Sequence, residues 1–185
     1  MQDLSNRLRP SPWAKFIVAI TIPQNEINQD VEGVLEHEIG CMDTRSEIYC
    51  FSDFSSYYDS EFGGRCWKYF VSFADLLVSE RLVPMKLRTE AIQRSFADKE
   101  GKRTVNLDPG YLNGWQLVLS TVKNHSHRIY LSDGVFGEVT LLFRKPDFFP
   151  LPWTYPDYQA DEQLRYFRKL RNLYNKQLKT FDRLI

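Results

Sequence analysis

The sequence predicts an α+β fold. Its sheet is mixed or antiparallel, with a ferredoxin-like β-α-β-β-α-β start, a C-terminal β-hairpin and a C-terminal helix. Three observations carry this. Residues 15–22, KFIVAITI, are a dense β-branched run, the pattern of a buried strand. Residues 127–143, HRIYLSDGVFGEVTLLF, place two apolar-rich stretches around Asp133-Gly134, a pair suited to the favoured two-residue turn, whose backbone takes positive φ. Residues 161–181 carry Leu164, Phe167, Leu170, Tyr174, Leu178 and Phe181 at helical spacing.

The remaining elements follow in order. Residues 1–12 are polar with two prolines, the composition of a flexible leader, so one α+β domain is expected over 13–185. Pro23 ends the first strand. Residues 25–39 place Ile27, Val31, Val34, Leu35 and Ile39 on a helical stripe closed by Gly40. SEIYCF (46–51) reads as the second strand, residues 52–65 as a polar-aromatic loop, and CWKYFVSF (66–73) as the third strand. A helix is expected from about Pro84 to Asp98, with Met85, Thr89, Ile92 and Phe96 on one face. TVNL (104–107) is the fourth strand. Asp108-Pro109-Gly110-Tyr111 then fits a type II turn, with glycine where φ is positive. Asn113–Lys123 spaces Trp115, Leu119 and Val122 as a helix does. Residues 145–158, KPDFFPLPWTYPDY, form a proline-aromatic connection, with Tyr155-Pro156 a candidate cis bond.

Composition narrows the function. Lys plus Arg and Asp plus Glu both number 24, a balance that argues against a bulk nucleic-acid binder. Cys41, Cys50 and Cys66 are odd in number and lack metal-like spacing, which fits reduced thiols in a cytoplasm. No stretch approaches the roughly 18–20 apolar residues of a membrane span. No metal-binding or cofactor motif occurs, so the sequence names no cofactor.

If Asp133-Gly134 is the hairpin turn, Ser132 faces Val135, Ile129 faces Glu138, Arg128 faces Val139 and His127 faces Thr140. Opposed residues share a sheet face. His127 and Glu138 then lie on one face and Arg128 and Tyr130 on the other, both faces apolar enough to be covered. Asp108 is either a general base or metal ligand held rigid by its proline, or a cap for the turn's own N–H groups. His127 is either an acid-base group tuned by Glu138 or a satisfied core or edge histidine. Arg128 either clamps an anion or pairs with Asp108 or Asp157. Lys86 and Arg88 add positive charge to a site or form a solvated helix face. Tyr111 and Tyr130 are placed with the ligand-binding residues. Trp153, Tyr155 and Asp157 sit on PWTYPDY (152–158), a stiff loop that covers a pocket, stacks on a base or packs the last helix onto the sheet.

NLDPGYL (106–112), HRIYLSDGVFGEVTLLF (127–143) and PWTYPDY (152–158), with KLRTE (86–90) and the KFIVAI start, resemble in that order the bacterial domain-of-unknown-function family 4416. The resemblance covers roughly residues 13–178. It implies a single-domain bacterial protein and brings no established activity. No G-x-x-x-x-G-K-S/T loop is present to cradle a nucleotide's phosphates.

Two readings follow. In the first, the chain binds a small anionic ligand, a nucleotide or phosphorylated metabolite, with Asp108, His127 and Glu138 as acid-base groups for hydrolytic or phosphoryl chemistry. Arg128, Lys86, Arg88, Tyr111, Tyr130, Trp153, Tyr155 and Asp157 hold the ligand. In the second, the aromatic stretches 49–58 and 148–158 form an exposed surface for a protein or short RNA partner, without an enclosed pocket.

Overall fold

The computed structural model describes residues 11–181. In chain order the elements are β1 (Trp13–Ile22), α1 (Gln29–Glu38), β2 (Met42–Arg45), β3 (Tyr49–Cys50), α2 (Asp59–Phe62), β4 (Trp67–Val78), α3 (Leu82–Ser95), β5 (Asn106–Leu112), β6 (Gln116–Thr121), β7 (Ile129–Ser132), β8 (Val135–Arg144), β9 (Asp147–Pro150) and α4 (Asp161–Phe181). The fold is α+β, built on a nine-stranded sheet in the order β2-β4-β1-β5-β6-β8-β7. Two short strands flank this path, β3 on β4 and β9 on β8.

The β-branched run of β1 lies near the middle of the sheet, buried on both faces. Phe16, Val18 and Ile20 pack with Val31 and Leu35 of α1 and with Leu82, Met85 and Ile92 of α3. Ile17 and Ala19 face the other way, towards Phe70, Leu112 and Leu141 and the Phe167, Leu170 and Tyr174 stripe of α4. Full burial of each large apolar side chain contributes about 1.5–3 kcal/mol, so the periodicity that marks α4 also fixes its place on the sheet. The Asn28 side chain caps α1 by accepting the Val31 N–H at 3.1 Å.

The segment around Asp108 corrects the turn expectation. Asn106 through Leu112 is one strand, paired with β1 from Thr21 opposite Asn106 to Lys15 opposite Leu112. Pro109 survives mid-strand because its carbonyl side faces β6, where the Ser120 hydroxyl donates to it at 2.8 Å. Backbone pairing with β6 starts one residue later, at Gly110 opposite Leu119, so the missing N–H costs no ladder bond. Gly110 does not take positive φ. It is needed because a Cβ there would lie 2.5 Å from the Val118 carbonyl oxygen.

The helix expected over Asn113–Lys123 is instead the strand β6. The Asn113 side chain accepts the N–H groups of Trp115 and Gln116, tightening the reversal between β5 and β6. Trp115 is 77% exposed, so the apparent stripe faces no core, whereas the consecutive residues Leu117, Val118, Leu119 and Ser120 are all buried. The strand expected at 46–51 is split: β2 precedes it, and only Tyr49–Cys50 pairs with β4 before a 3-10 turn at Phe51–Asp53.

The hairpin turn forms as expected, with φ of 52° at Asp133 and 76° at Gly134. Ser132 faces Val135, but an irregularity beyond it sets Tyr130 opposite Phe136 and Ile129 opposite Gly137. This one-residue slip overturns the expected face assignment. Nor are both faces of the hairpin covered, since every residue of β7 is exposed. The proline-aromatic connection contains the unforeseen strand β9, and the cis bond is Lys145–Pro146 rather than Tyr155–Pro156. Most of the expected leader, residues 1–10, lies outside the described residues, as does the Phe181 side chain. No helix of the described residues is long and apolar enough to cross a membrane.

Candidate functional site

Strand register assembles the site. Thr21 of β1 lies between Lys68 of β4 and Asn106 of β5, so these three share a face. Asp108 follows two residues along β5 on the same face. Gly110 faces Leu119, and Leu119 faces Glu138 of β8. One surface of the sheet therefore presents Lys68, Asn106, Asp108 and Glu138. Beyond Gly110, β6 leaves β5 and continues with β8, so residues 106–108 have β1 on one side and no strand on the other. A cavity of about 620 Å³ occupies that opening, a size typical of small-ligand sites.

Asp108 lies on the cavity wall with 31% of its side chain accessible. Its Oδ2 accepts from Asn106 Nδ2 at 2.6 Å, and its Oδ1 lies 3.5 Å from Lys86 Nζ. Lys86 reaches over from α3 and is itself buried, held also by Glu90 at 2.9 Å. Burial pushes the Asp108 carboxyl up. The charges of Lys86 and Lys68 and the Asn106 hydrogen bond together outweigh it and hold the carboxyl below its ordinary value. Asp108 is therefore ionised at neutral pH. Asn106 is fixed in turn by Arg103, whose Nη1 donates to its Oδ1 at 2.7 Å. Arg103 pairs with Glu61 of α2 and lies over the Tyr58 ring, 5.4 Å from its centre. Burial, followed by the Asp108 charge, raises the Tyr58 phenol well above its usual range, so Tyr58 stays neutral.

Glu138 organises the opposite wall. Its Oε2 accepts from Arg128 Nε at 2.6 Å and lies 3.3 Å from His127 Nε2. Arg128 also donates to the Lys123 carbonyl at 2.9 Å and to the Tyr155 hydroxyl at 2.8 Å. Burial and then the Glu138 charge push the Tyr155 phenol up to about 12, against the pull of Arg128. The His127 ring stacks on Trp153 with centres 5.2 Å apart and planes 12° apart. Trp153 Nε1 donates to the Val139 carbonyl at 2.8 Å, which pins the 152–158 loop to β8.

Between these walls lies a buried ion pair. Lys68 Nζ donates to Asp157 Oδ2 at 2.7 Å, and the same oxygen accepts from the Tyr49 hydroxyl at 2.8 Å. The ammonium lies over the rings of Tyr158, Phe51 and Phe70 at 4.6, 5.0 and 5.6 Å.

Eight of the residues singled out in the sequence line this cavity: Asp108, His127, Glu138, Arg128, Lys86, Trp153, Tyr155 and Asp157. Three do not. Tyr111 packs against Phe16 on the α1/α3 side of the sheet. Tyr130 is exposed on β7 beside Phe136. Arg88 pairs with Glu38 between α3 and α1. Arg128 pairs with Glu138, not with Asp108 or Asp157. Sequence reasoning missed Lys68, Arg103, Lys123, Tyr57 and Tyr58. Lys68 carried a signal: a lysine inside CWKYFVSF must find a partner if that strand is buried. Among the described residues, no three His, Cys, Asp or Glu side chains converge as a metal centre requires. The arrangement offers an ionised carboxylate, an imidazole oriented by a buried glutamate, several cations and aromatic walls around one space.

A family model described as Domain of unknown function (DUF4416) matches residues 12–174. No curated protein and no solved structure matches the chain.

Proposed function

The chain belongs to the DUF4416 family, and we propose that it binds a small anionic ligand, a nucleotide or a phosphorylated metabolite, in the cavity around Asp108. The observation that carries this reading is the meeting of unlike groups in one enclosure: the Asp108 carboxylate, the cations Lys86, Arg103, Lys123 and Arg128, and the rings of Tyr58, Trp153 and Tyr155. Pockets that combine apolar walls with a few convergent polar groups are the usual form of a small-ligand site. The chemistry these groups favour is acid-base, of the hydrolytic or phosphoryl kind. Asp108 accepts a proton, and His127, held by Glu138, exchanges one. We read β2-β4-β1-β5, with α1 and α3 on one face, as the ferredoxin-like unit. The cavity then sits where the added strands β6 to β9 diverge from it. The described cysteines are free thiols, which suits a reducing compartment such as the bacterial cytoplasm.

The interaction-surface reading expects exposed aromatic rings and no pocket. Tyr57, Trp153 and Tyr155 are exposed but border the cavity, whereas Phe51 and Tyr158 are buried in its walls.

The test is a thermal-shift panel of nucleotides and sugar phosphates on the native chain and on Asp108→Asn, a substitution that keeps the side chain's shape. A ligand at 100 times its Kd stabilises by about 2.7 kcal/mol. The expected result is a shift in the native chain that Asp108→Asn removes or strongly reduces. A ligand shift of equal size in both proteins would remove Asp108 from the site.

A further inference from the structure

We propose that the ligand is a nucleoside monophosphate. This rests on the reading of the cavity as a small-anion site, and two observations narrow the class.

The first is charge. Four of the five lysines and arginines lining the cavity already have a carboxylate partner: Lys68 with Asp157, Lys86 with Glu90, Arg103 with Glu61 and Arg128 with Glu138. Among the described residues, Lys123 alone of the five is paired with no carboxylate. Its ammonium meets the Tyr57 hydroxyl and lies 4.4 Å from the centre of that ring. Lys123 belongs to the same β6–β7 connection as His125 and His127, and all three line the cavity. Uncommitted positive charge is thus confined to one end. It matches one phosphoryl group. A triphosphate would need further cations stripped from buried or half-buried partners, which is costly.

The second is the aromatic lining. Tyr57, Tyr58, Trp153 and Tyr155 present rings to the cavity, and His125, His127 and Trp153 form a continuous stack. A base stacks favourably on such rings, a contribution that a sugar phosphate cannot use.

The cavity therefore asks at one end for a single anionic group and beside it for a flat ring that stacks on these walls.

The experiment is calorimetric titration of the full chain with four nucleoside monophosphates, their nucleosides and triphosphates, ribose 5-phosphate and inorganic phosphate. One monophosphate is expected to bind about tenfold or more tighter than its triphosphate, its nucleoside and ribose 5-phosphate. Lys123→Ala, a change at an exposed residue, is expected to weaken the monophosphate more than the nucleoside. A triphosphate bound as tightly as the monophosphate overturns the single-phosphate assignment. Ribose 5-phosphate or phosphate bound tightest overturns the nucleobase while keeping the anion site. Binding of none of these probes overturns the inference and the anion-site reading together.

Discussion

Gly110→Ala is expected to destabilise the chain by about 3 kcal/mol, the upper end of the usual overpacking cost. The new Cβ would meet the Val118 carbonyl oxygen at 2.5 Å and Leu119 Cδ2 at 2.7 Å. A side chain could turn aside, but Val118 contributes backbone. The backbones of β5 and β6 would have to separate at the only place where these strands pair. For a chain of this size the melting temperature is expected to fall by roughly 6–12 °C. Gly33→Ala is the matched control. Gly33 lies inside α1 with open space around it, and the same substitution there is expected to stabilise by about 0.4–1 kcal/mol. Opposite signs in urea or thermal melts would tie Gly110 to close strand approach. A mild effect at Gly110 would mean that β5 and β6 are not held as described.

Removing one member of the Lys68–Asp157 pair is the second large effect. Lys68→Met keeps most of the side-chain volume but leaves the Asp157 carboxylate buried with only the Tyr49 hydroxyl. Breaking a buried pair from one side costs about 3–5 kcal/mol, because the remaining charge is uncompensated. The double variant Lys68→Met/Asp157→Asn removes that charge and retains an acceptor for Tyr49, and it is expected to recover most of the loss. A double-mutant cycle by urea denaturation checks this. If the two single effects simply add, the ammonium and carboxylate are not coupled.

How much of this was legible in the sequence depended on whether the information was local. The β1 run, the α4 stripe and the Asp133-Gly134 turn are local, and each formed where its pattern placed it. The DPG stretch misled because its local chemistry matches a turn. What overrides it is tertiary: β1 pairs along its whole length, and Ser120 satisfies the Pro109 carbonyl. Likewise β6 was hidden because a strand buried on both faces lacks alternation, and its apolar residues can be mistaken for a helical stripe. The irregularity at Leu131 carries no sequence mark, yet it reverses which residues share a face. Asp108, His127, Arg128, Glu138 and the PWTYPDY loop stood out in the sequence because they are chemically conspicuous, and the fold brings them to one cavity. Lys68 and Arg103 escaped because their roles come from non-local partners, Asp157 and Glu61, supplied by other elements.

Trp153 offers the most direct test of the cavity as a ligand site. The chain has four tryptophans, and Trp153 is the one that lines the cavity. The measurement is a two-dimensional 1H–15N NMR titration that follows the four indole N–H resonances, with Trp153 assigned by its loss in Trp153→Phe. Nucleoside monophosphates and sugar phosphates are added in turn. If the cavity is the ligand site, at least one of these anions moves the Trp153 resonance to saturation while Trp115, exposed on the β5–β6 turn, stays in place. Saturable movement of another indole with Trp153 unmoved, or no movement with any of these anions, would contradict it.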